Sequence, residues 1–318
     1  MKHVLLGSAC AFLLAIAACS GPADEADTNG DASAPSDGVS SAPEPEGDDA
    51  AADGVDSVQL IKLDCGTIYV SDLDIFSTAG DYAGETDTFT NTCWLVRHPD
   101  GNLLWDLGLP GILTSQEEQA TGVFTVSLDE TISEQVKDLG LSMSDIDYVA
   151  VSHSHFDHTG QVDLLEDPVW LVNQMEYDYM FPEPEVSEEA PAAGESDADG
   201  ADAANQFPGF DLLTYEIIPD NHDVFGDGSV IIFMTPGHTP GHASLLVNLP
   251  ETGPVLLTGD LYHRTESREL KRVPQFNSSE DATLASMETF EDRADTLGAQ
   301  VIIQHEPADT DDLPDVMR

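Results

Sequence analysis

The stretch Val-Ser-His-Ser-His-Phe-Asp-His-Thr-Gly at residues 151–160 gathers His153, His155, Asp157 and His158 into one short segment. A structural histidine normally stands alone, with one ring nitrogen hydrogen-bonded and the rest of the ring packed. Several neutral imidazoles with a carboxylate among them suit another task, the holding of a metal ion. More residues of this kind follow downstream: His238 in TPGHTPGH, Asp260 in LLTGDLYH and His305 in VIIQHEP. Each comes just after an apolar run. A regular strand turns alternate side chains to opposite faces, so His153, His155 and His158 can serve one centre only where the strand ends and the chain curls. Loops at the ends of buried strands combine rigid aim with access, and chemistry concentrates there. Four strand ends therefore deliver His, Asp or both.

The elements that must position these residues are legible from residue 57 onward. VQLIKLDCGTIYV reads as one or two strands, and TCWLVRH and NLLWDLG flank Pro99-Asp100-Gly101 as a hairpin. TISEQVKDLG is a helix ending at Gly140, and Asp147–Val151 is a short buried strand running into the histidine segment. Pro168–Val172 reads as a strand and Gln174–Met180 as a helical turn or two. Further strands fall near Leu213–Ile218, Val230–Thr235, Ala243–Asn248 and Val255–Thr258, with a turn at Asp227-Gly228. Ser278 and Ser279 can cap a helix whose Leu284, Met287, Ala294 and Leu297 share one face, and Val301–Ile303 is a last strand. Strands in two batches, each followed by helix, predict an α+β fold of two sheets packed face to face with helices outside.

The chain has 318 residues, 61 acidic against 10 basic, and a formal charge of −51. A hydrophobic fraction of 41% supports a real core. The charge excludes nucleic acid as a partner, because a phosphate backbone would be repelled. Part of the acid is segregated: residues 20–56 and 181–206 contain no Lys or Arg, and 182–206 reads as an acidic low-complexity insertion in the fold. The remainder gives the folded body a surface that stays hydrated in salty water. Stability is expected to rise as NaCl goes from low to molar; a flat melting temperature across that range would remove the idea.

The opening MKHVLLGSACAFLLAIAAC has a charged start, an apolar run too short to span a bilayer at ~20 residues, and a small-residue end. Ile16-Ala17-Ala18-Cys19 resembles the bacterial lipobox. The expectation is a lipoprotein signal over 1–18, lipidation at Cys19, and export with membrane anchoring on the periplasmic side or at the outer membrane. Residues 19–56 then form an acidic tether without an aromatic side chain. Cys10 leaves with the signal and Cys19 carries lipid, so Cys65 and Cys93 remain. An oxidising compartment favours a disulfide between them over two buried thiols.

His153-x-His155-x-Asp157-His158, followed by His238, Asp260 and His305, resembles the full metal set of the metallo-β-lactamase superfamily over residues 57–318. The resemblance implies a four-layer αβ/βα sandwich with two divalent metal ions at the sheet edge. By motif, His153, His155 and His238 would bind the first ion, Asp157, His158 and His305 the second, and Asp260 both. Asp106 in LLWDLG would brace the histidine loop. Zinc is the default for so nitrogen-rich a set, and iron, manganese or cobalt also suit it.

SHSHFDHTG and TPGHTPGH, with LDCGTIYV, TCWLVRHPDG and DVFGDGS, are most similar to the acyl-homoserine-lactone lactonase branch. That branch implies opening of an acyl lactone, a small-molecule substrate, by a metal-bridging hydroxide, with Asp157 carrying the proton to the leaving alkoxide. The lactonases place a tyrosine three residues after the bridging aspartate. Here that position is His263 and Tyr262 comes one earlier, so either could polarise the substrate. Trp94, Trp105, Phe156 and Tyr177–Phe181 could line an acyl pocket or simply pack. His242 reads as packing or ligand support, His222 as a turn residue, and His98 as a solvated histidine beside its hairpin. Alternatives are hydrolysis of other esters, phosphoesters or a glutathione thioester, a β-lactamase, which in its commonest zinc form has Cys where Asp260 stands, and a metal-binding lipoprotein without catalysis.

Overall fold

The computed structural model describes residues 55–182 and 207–318. The leader at 1–18, the tether apart from its last two residues, and the acidic insertion beyond Pro182 lie outside them. Among the described residues no helix is long and apolar enough to cross a membrane.

Two long strands, Gln59–Val70 and Asp87–His98, form the backbone of the first sheet. They pair antiparallel from Gln59 opposite Arg97 to Val70 opposite Asp87, with a bulge between Asp64 and Thr67. The chain turns at Pro99-Asp100 into Gly101–Trp105, as the turn residues predict. Gly101 has φ 144, and a Cβ there would come within 2.8 Å of the Asp147 carboxylate, so glycine is required. From here the sheet runs parallel, through Tyr148–Ala150 and Val169–Asn173 to Thr214–Ile218. The second sheet runs in the order Gln300–Ile302, Gly253–Leu257, Ala243–Leu249, Val230–Met234 and Asn221–Asp223.

The sheets bury one apolar layer between them. Leu60, Trp94, Val96, Leu103 and Trp105 from the first meet Val230, Ile232, Leu245, Val247, Leu257 and Ile302 from the second. Each outer face carries a helix. Ile132 and Val136 of helix Ile132–Asp138 cover the first sheet, and Met287, Phe290 and Ala294 of helix Glu280–Leu297 cover Phe233, Leu246 and Leu256 of the second. The order helix, sheet, sheet, helix is the four-layer αβ/βα sandwich expected. Both helices start as written in the sequence: Thr131 and Glu134 make a capping box, and Ser279, not Ser278, receives the amide of Ala282.

Parallel pairing sends strand ends to a common edge. Trp105, Ala150 and Asn173 leave the first sheet there, and Asp106 and the 151–160 segment follow at once.

Two side expectations fail. His98 is not solvated: it is 7% exposed, stacked on Phe225 at 4.1 Å between ring centres, with Nε2 3.1 Å from Asp227 Oδ2. The loop after Asn221–Asp223 folds back over the hairpin and supplies that cover. His222 lies within this strand rather than in a turn.

Candidate metal centre

The 148–150 strand stops at Ala150, and the chain then curls into a single helical turn, Phe156–Thr159. The curl resolves the facing problem: His153 and His155 precede the turn, while Asp157 and His158 ride on it. Gly160 has no room for a side chain, since a Cβ would lie 2.3 Å from Pro110 N. Its amide donates to the Gly108 carbonyl and that of Leu107 to the His158 carbonyl, locking the curl against the Asp106–Pro110 segment.

Two clusters result. Ligand atoms of His153, His155, His238 and Asp260 lie within 4.8 Å of one another, and so do those of Asp157, His158 and His305. Asp260 divides its oxygens between them. Its Oδ2 is 3.2 Å from His238 Nε2 and 3.6 Å from His153 Nε2, whereas its Oδ1 is 3.1 Å from His158 Nε2 and 3.0 Å from His305 Nε2. Asp157 Oδ2 stands 3.6 Å from His305 Nε2. All seven residues expected as ligands thus meet at one edge, and Asp260 reaches both groups.

Hydrogen bonding tests whether the set fits metal ions. The Nδ1 of His305 faces the Thr90 carbonyl at 3.0 Å and that of His158 faces Asp106 Oδ2 at 3.1 Å. Both partners only accept, so both Nδ1 atoms carry hydrogen, and in the neutral rings both Nε2 atoms present lone pairs. Those lone pairs face each other across 3.3 Å. His238 repeats the pattern, with Nδ1 2.8 Å from Asn277 Oδ1 and Nε2 turned inward. His153 Nε2 and Asp260 Oδ1 are buried without any hydrogen-bond partner. Inward lone pairs beside buried carboxylates need cations between them, and outward N–H groups on carbonyl or carboxylate oxygens are how such ligands are oriented. The residues fit two metal ions.

Without metal, the electrostatics differ between the two groups. Burial, reinforced by neighbouring imidazoles, holds His153 and His155 well below the usual imidazole range, in the neutral ligating form. Burial also depresses His158, but the carboxylates of Asp260, Asp106 and Asp157 outweigh it and hold that ring well above its ordinary value. Burial pushes Asp260 up, and the histidines around it, His263 first, bring it well below the carboxylate range.

The supporting residues sort themselves by contact. Asp106, at φ 63, accepts the Ser152 amide at 2.6 Å through Oδ1 and meets His158 through Oδ2. His242 accepts the Asp260 amide at 2.9 Å and is held at about 3 by burial, hence neutral. His263 turns inward, its Nε2 2.9 Å from Asp260 Oδ2. Tyr262 does not, and its candidacy as polarising group is corrected: its hydroxyl donates to Glu291 at 2.9 Å and its ring sits among Leu261, Met287 and Phe290. The backbone at Tyr262 is extended (φ −137, ψ 141), so Tyr262 and the residue after it, His263, point to opposite sides.

Cys65 and Cys93 are joined as a disulfide, directly behind the Asp157–His158 turn. Asn91 connects them, donating to the Cys65 carbonyl at 3.3 Å and to that of Asp157 at 2.8 Å.

An aromatic wall flanks the centre. Phe76 lies 4.8 Å from the His263 ring and 5.3 Å from Phe276, Phe276 lies 5.7 Å from His238, and Phe89 lies 6.0 Å from His305. Phe124 and Phe156 extend it. Of the residues read as possible pocket lining, Phe156 is here, whereas Trp94 and Trp105 are in the inter-sheet core and Tyr177 and Phe181 pack on Trp170. The sequence carries no local signal for Phe76, Phe89 or Phe276, which come from segments far apart in the chain.

Comparison with known proteins agrees with this geometry. The metallo-beta-lactamase superfamily matches residues 86–299. A protein of Azorhizobium caulinodans named N-acyl homoserine lactonase AttM is 33% identical over 67% of this chain and 81% of its own length. Its namesake in Rhizobium radiobacter is 30% identical over 79% of this chain and 94% of its own. A solved N-acyl homoserine lactone hydrolase, with N-hexanoyl-L-homoserine bound at its catalytic metal centre, superposes with a TM-score of 0.65 at 22% identity, over 81% of this chain and 97% of that one. The dizinc quorum-quenching lactonase AidC gives a TM-score of 0.58 at 16% identity, over 79% of this chain and 88% of its own. By sequence match, layer order and ligand set, this chain belongs to the metallo-β-lactamase superfamily.

Proposed function

We propose that this protein is a metal-dependent hydrolase that opens the ring of N-acyl-homoserine lactones, with zinc as the ion its nitrogen-rich ligands favour. The observation that carries the reading is the paired ligand clusters with the partly exposed rings of Phe124, Phe156 and Phe276 beside them, backed by the buried rings of Phe76 and Phe89. An acyl tail against the three partly exposed rings leaves its polar lactone head among the histidines. The relatives' names point the same way.

His153, His155 and His238 would hold one ion, Asp157, His158 and His305 the other, and Asp260 both. Such a pair lowers the pKa of water towards ~7 and polarises a carbonyl. Asp157, on its helical turn, would take the proton and pass it to the departing alkoxide. His263 donates to Asp260 Oδ2 and so holds the shared carboxylate. The neutral ring then keeps only an acceptor at Nδ1, which makes His263 a support for Asp260 rather than a donor to the substrate.

The discriminating measurement is a panel on the metal-loaded protein: homoserine lactones of graded tail length, aryl esters, nitrocefin and S-lactoylglutathione. Lactones are expected to be turned over fastest. Thioester turnover with lactones untouched would sink the reading.

The two neighbouring residues should separate cleanly. Tyr262→Phe is expected to keep kcat within about twofold while costing ~1–2 kcal/mol of stability, the hydrogen bond to Glu291. His263→Ala should lower kcat by about 10- to 100-fold, the usual effect of removing a ligand's orienting partner. A larger kcat loss in Tyr262→Phe than in His263→Ala would contradict this assignment.

The lipid anchor rests on the lipobox-like residues ending at Cys19. Cys19→Ala is expected to abolish incorporation of labelled palmitate and leave the protein unanchored. Undiminished label in that variant would count against the anchor.

A further inference from the structure

Two buried side chains that touch no ligand side chain of their own group are bonded to the loops carrying those ligands. Glu176, 1% exposed, sits on helix Gln174–Met180 at the end of the 169–173 strand. Its Oε1 accepts the Ser154 amide at 2.8 Å, between His153 and His155. Its Oε2 accepts the Thr239 hydroxyl at 2.7 Å and the Gly241 amide at 3.0 Å, in the loop that follows His238. Gly241 permits the approach, since a Cβ there would lie 2.2 Å from Glu176 N. One carboxylate therefore ties together both loops that supply His153, His155 and His238.

Gln304, fully buried, does the same elsewhere. Its Nε2 donates to Asp106 Oδ2 at 2.8 Å, the same oxygen that His158 meets. Its Oε1 accepts the Gly259 amide at 3.0 Å, one residue before Asp260, and Trp105 Nε1 at 3.0 Å. Its main chain carries His305, and its carbonyl is held by the Thr92 hydroxyl at 2.9 Å. The amide supplies both roles at once, a donor for Asp106 and an acceptor for Gly259 and Trp105, which an ionised carboxylate does not.

We propose that Glu176 positions only the group of His153, His155 and His238, whereas Gln304, bonded to the Gly259 amide before Asp260 and to Asp106, which in turn holds Ser152 and His158, positions both groups. This rests on the two-metal reading above, and the test separates the two claims. Both residues are positioning residues: neither reaches the space between the ligands.

The experiment is competition for Zn²⁺ between a chromophoric chelator and the full chain stripped of metal. The wild-type protein is expected to take up two equivalents; one or none would overturn the two-metal reading itself, whatever the variants do. In a His305→Ala background one equivalent remains, on His153, His155, His238 and Asp260. Adding Glu176→Gln should weaken that equivalent by about 10- to 100-fold, and adding Gln304→Glu should weaken it as well. In a His238→Ala background Gln304→Glu should again weaken the remaining equivalent by about 10- to 100-fold, while Glu176→Gln should move it less than about threefold. Equal weakening by Glu176→Gln in both backgrounds, or a Gln304→Glu effect confined to one background, overturns this assignment. Should Gln304→Glu or Glu176→Gln fail to fold, Thr92→Val and Thr239→Val each delete one bond to the same ties, and the same contrast is read with smaller shifts.

Discussion

Asp260→Ala is expected to lower kcat/KM for the lactone by about 10⁴-fold, on the order of 5 kcal/mol of lost transition-state stabilisation. The reason is the division of its carboxylate. Oδ2 serves His153, His238 and His263, and Oδ1 serves His158 and His305, so no other side chain can replace it for either group. The fold should survive. The Asp260 backbone is held by His242, and its side chain lies outside the apolar layers. Elemental analysis should then find less than one equivalent of metal in a protein with unchanged far-UV circular dichroism. Asp260→Asn keeps one carbonyl oxygen and should retain about one equivalent. Two full equivalents in Asp260→Ala, with activity within tenfold of wild type, would show that the clusters do not share this residue.

The seven residues of the two clusters were legible because each follows the C-terminal end of an apolar run, and the layered fold carries those ends to one edge. Periodicity gave the strands and helices for the same reason: both outer layers and the inter-sheet layer need apolar faces at fixed spacing. What periodicity cannot show is the direction a side chain takes after a strand has ended. Tyr262 and His263 differ by one step along extended backbone, and that step decides which of them meets Asp260 and which meets Glu291. The aromatic wall was silent because its rings come from unrelated segments. Glu176 and Gln304 were silent for another reason. A buried Glu or Gln has no pattern of its own, and only the donors around it reveal its work. His98 shows the reverse error: the hairpin position predicts exposure, and a loop from the second sheet removes it.

Metal removal divides the same molecule into fold and chemistry. Three apolar layers hold the sandwich together without the centre, so a chelated protein should remain folded, unlike small domains that fold only around zinc. Its activity should fall to background and return with Zn²⁺. Loaded protein should melt higher, by roughly 10 °C for a free metal concentration about 1,000 times its dissociation constant, from ~4 kcal/mol of binding and ~2–4 °C per kcal/mol.

The gap should depend on pH in a definite direction. Without metal, His158 and His305 have folded-state pKa values above 6.5, raised by Asp260 and other carboxylates against the effect of burial. Their stabilisation is complete below the unfolded value and is lost as pH rises through the folded one. His153, His155, His242 and His263 are depressed by burial, so they cost stability as pH falls below 6.5. Metal-free protein should therefore be most stable near pH 6.5 and weaken on both sides. Metal requires the neutral rings and binds more tightly as protons leave. The difference in melting temperature between loaded and stripped protein should widen steadily from pH 6.5 to 8.5. Melting curves that coincide, or that converge over that interval, would mean that the buried histidines do not exchange protons for metal.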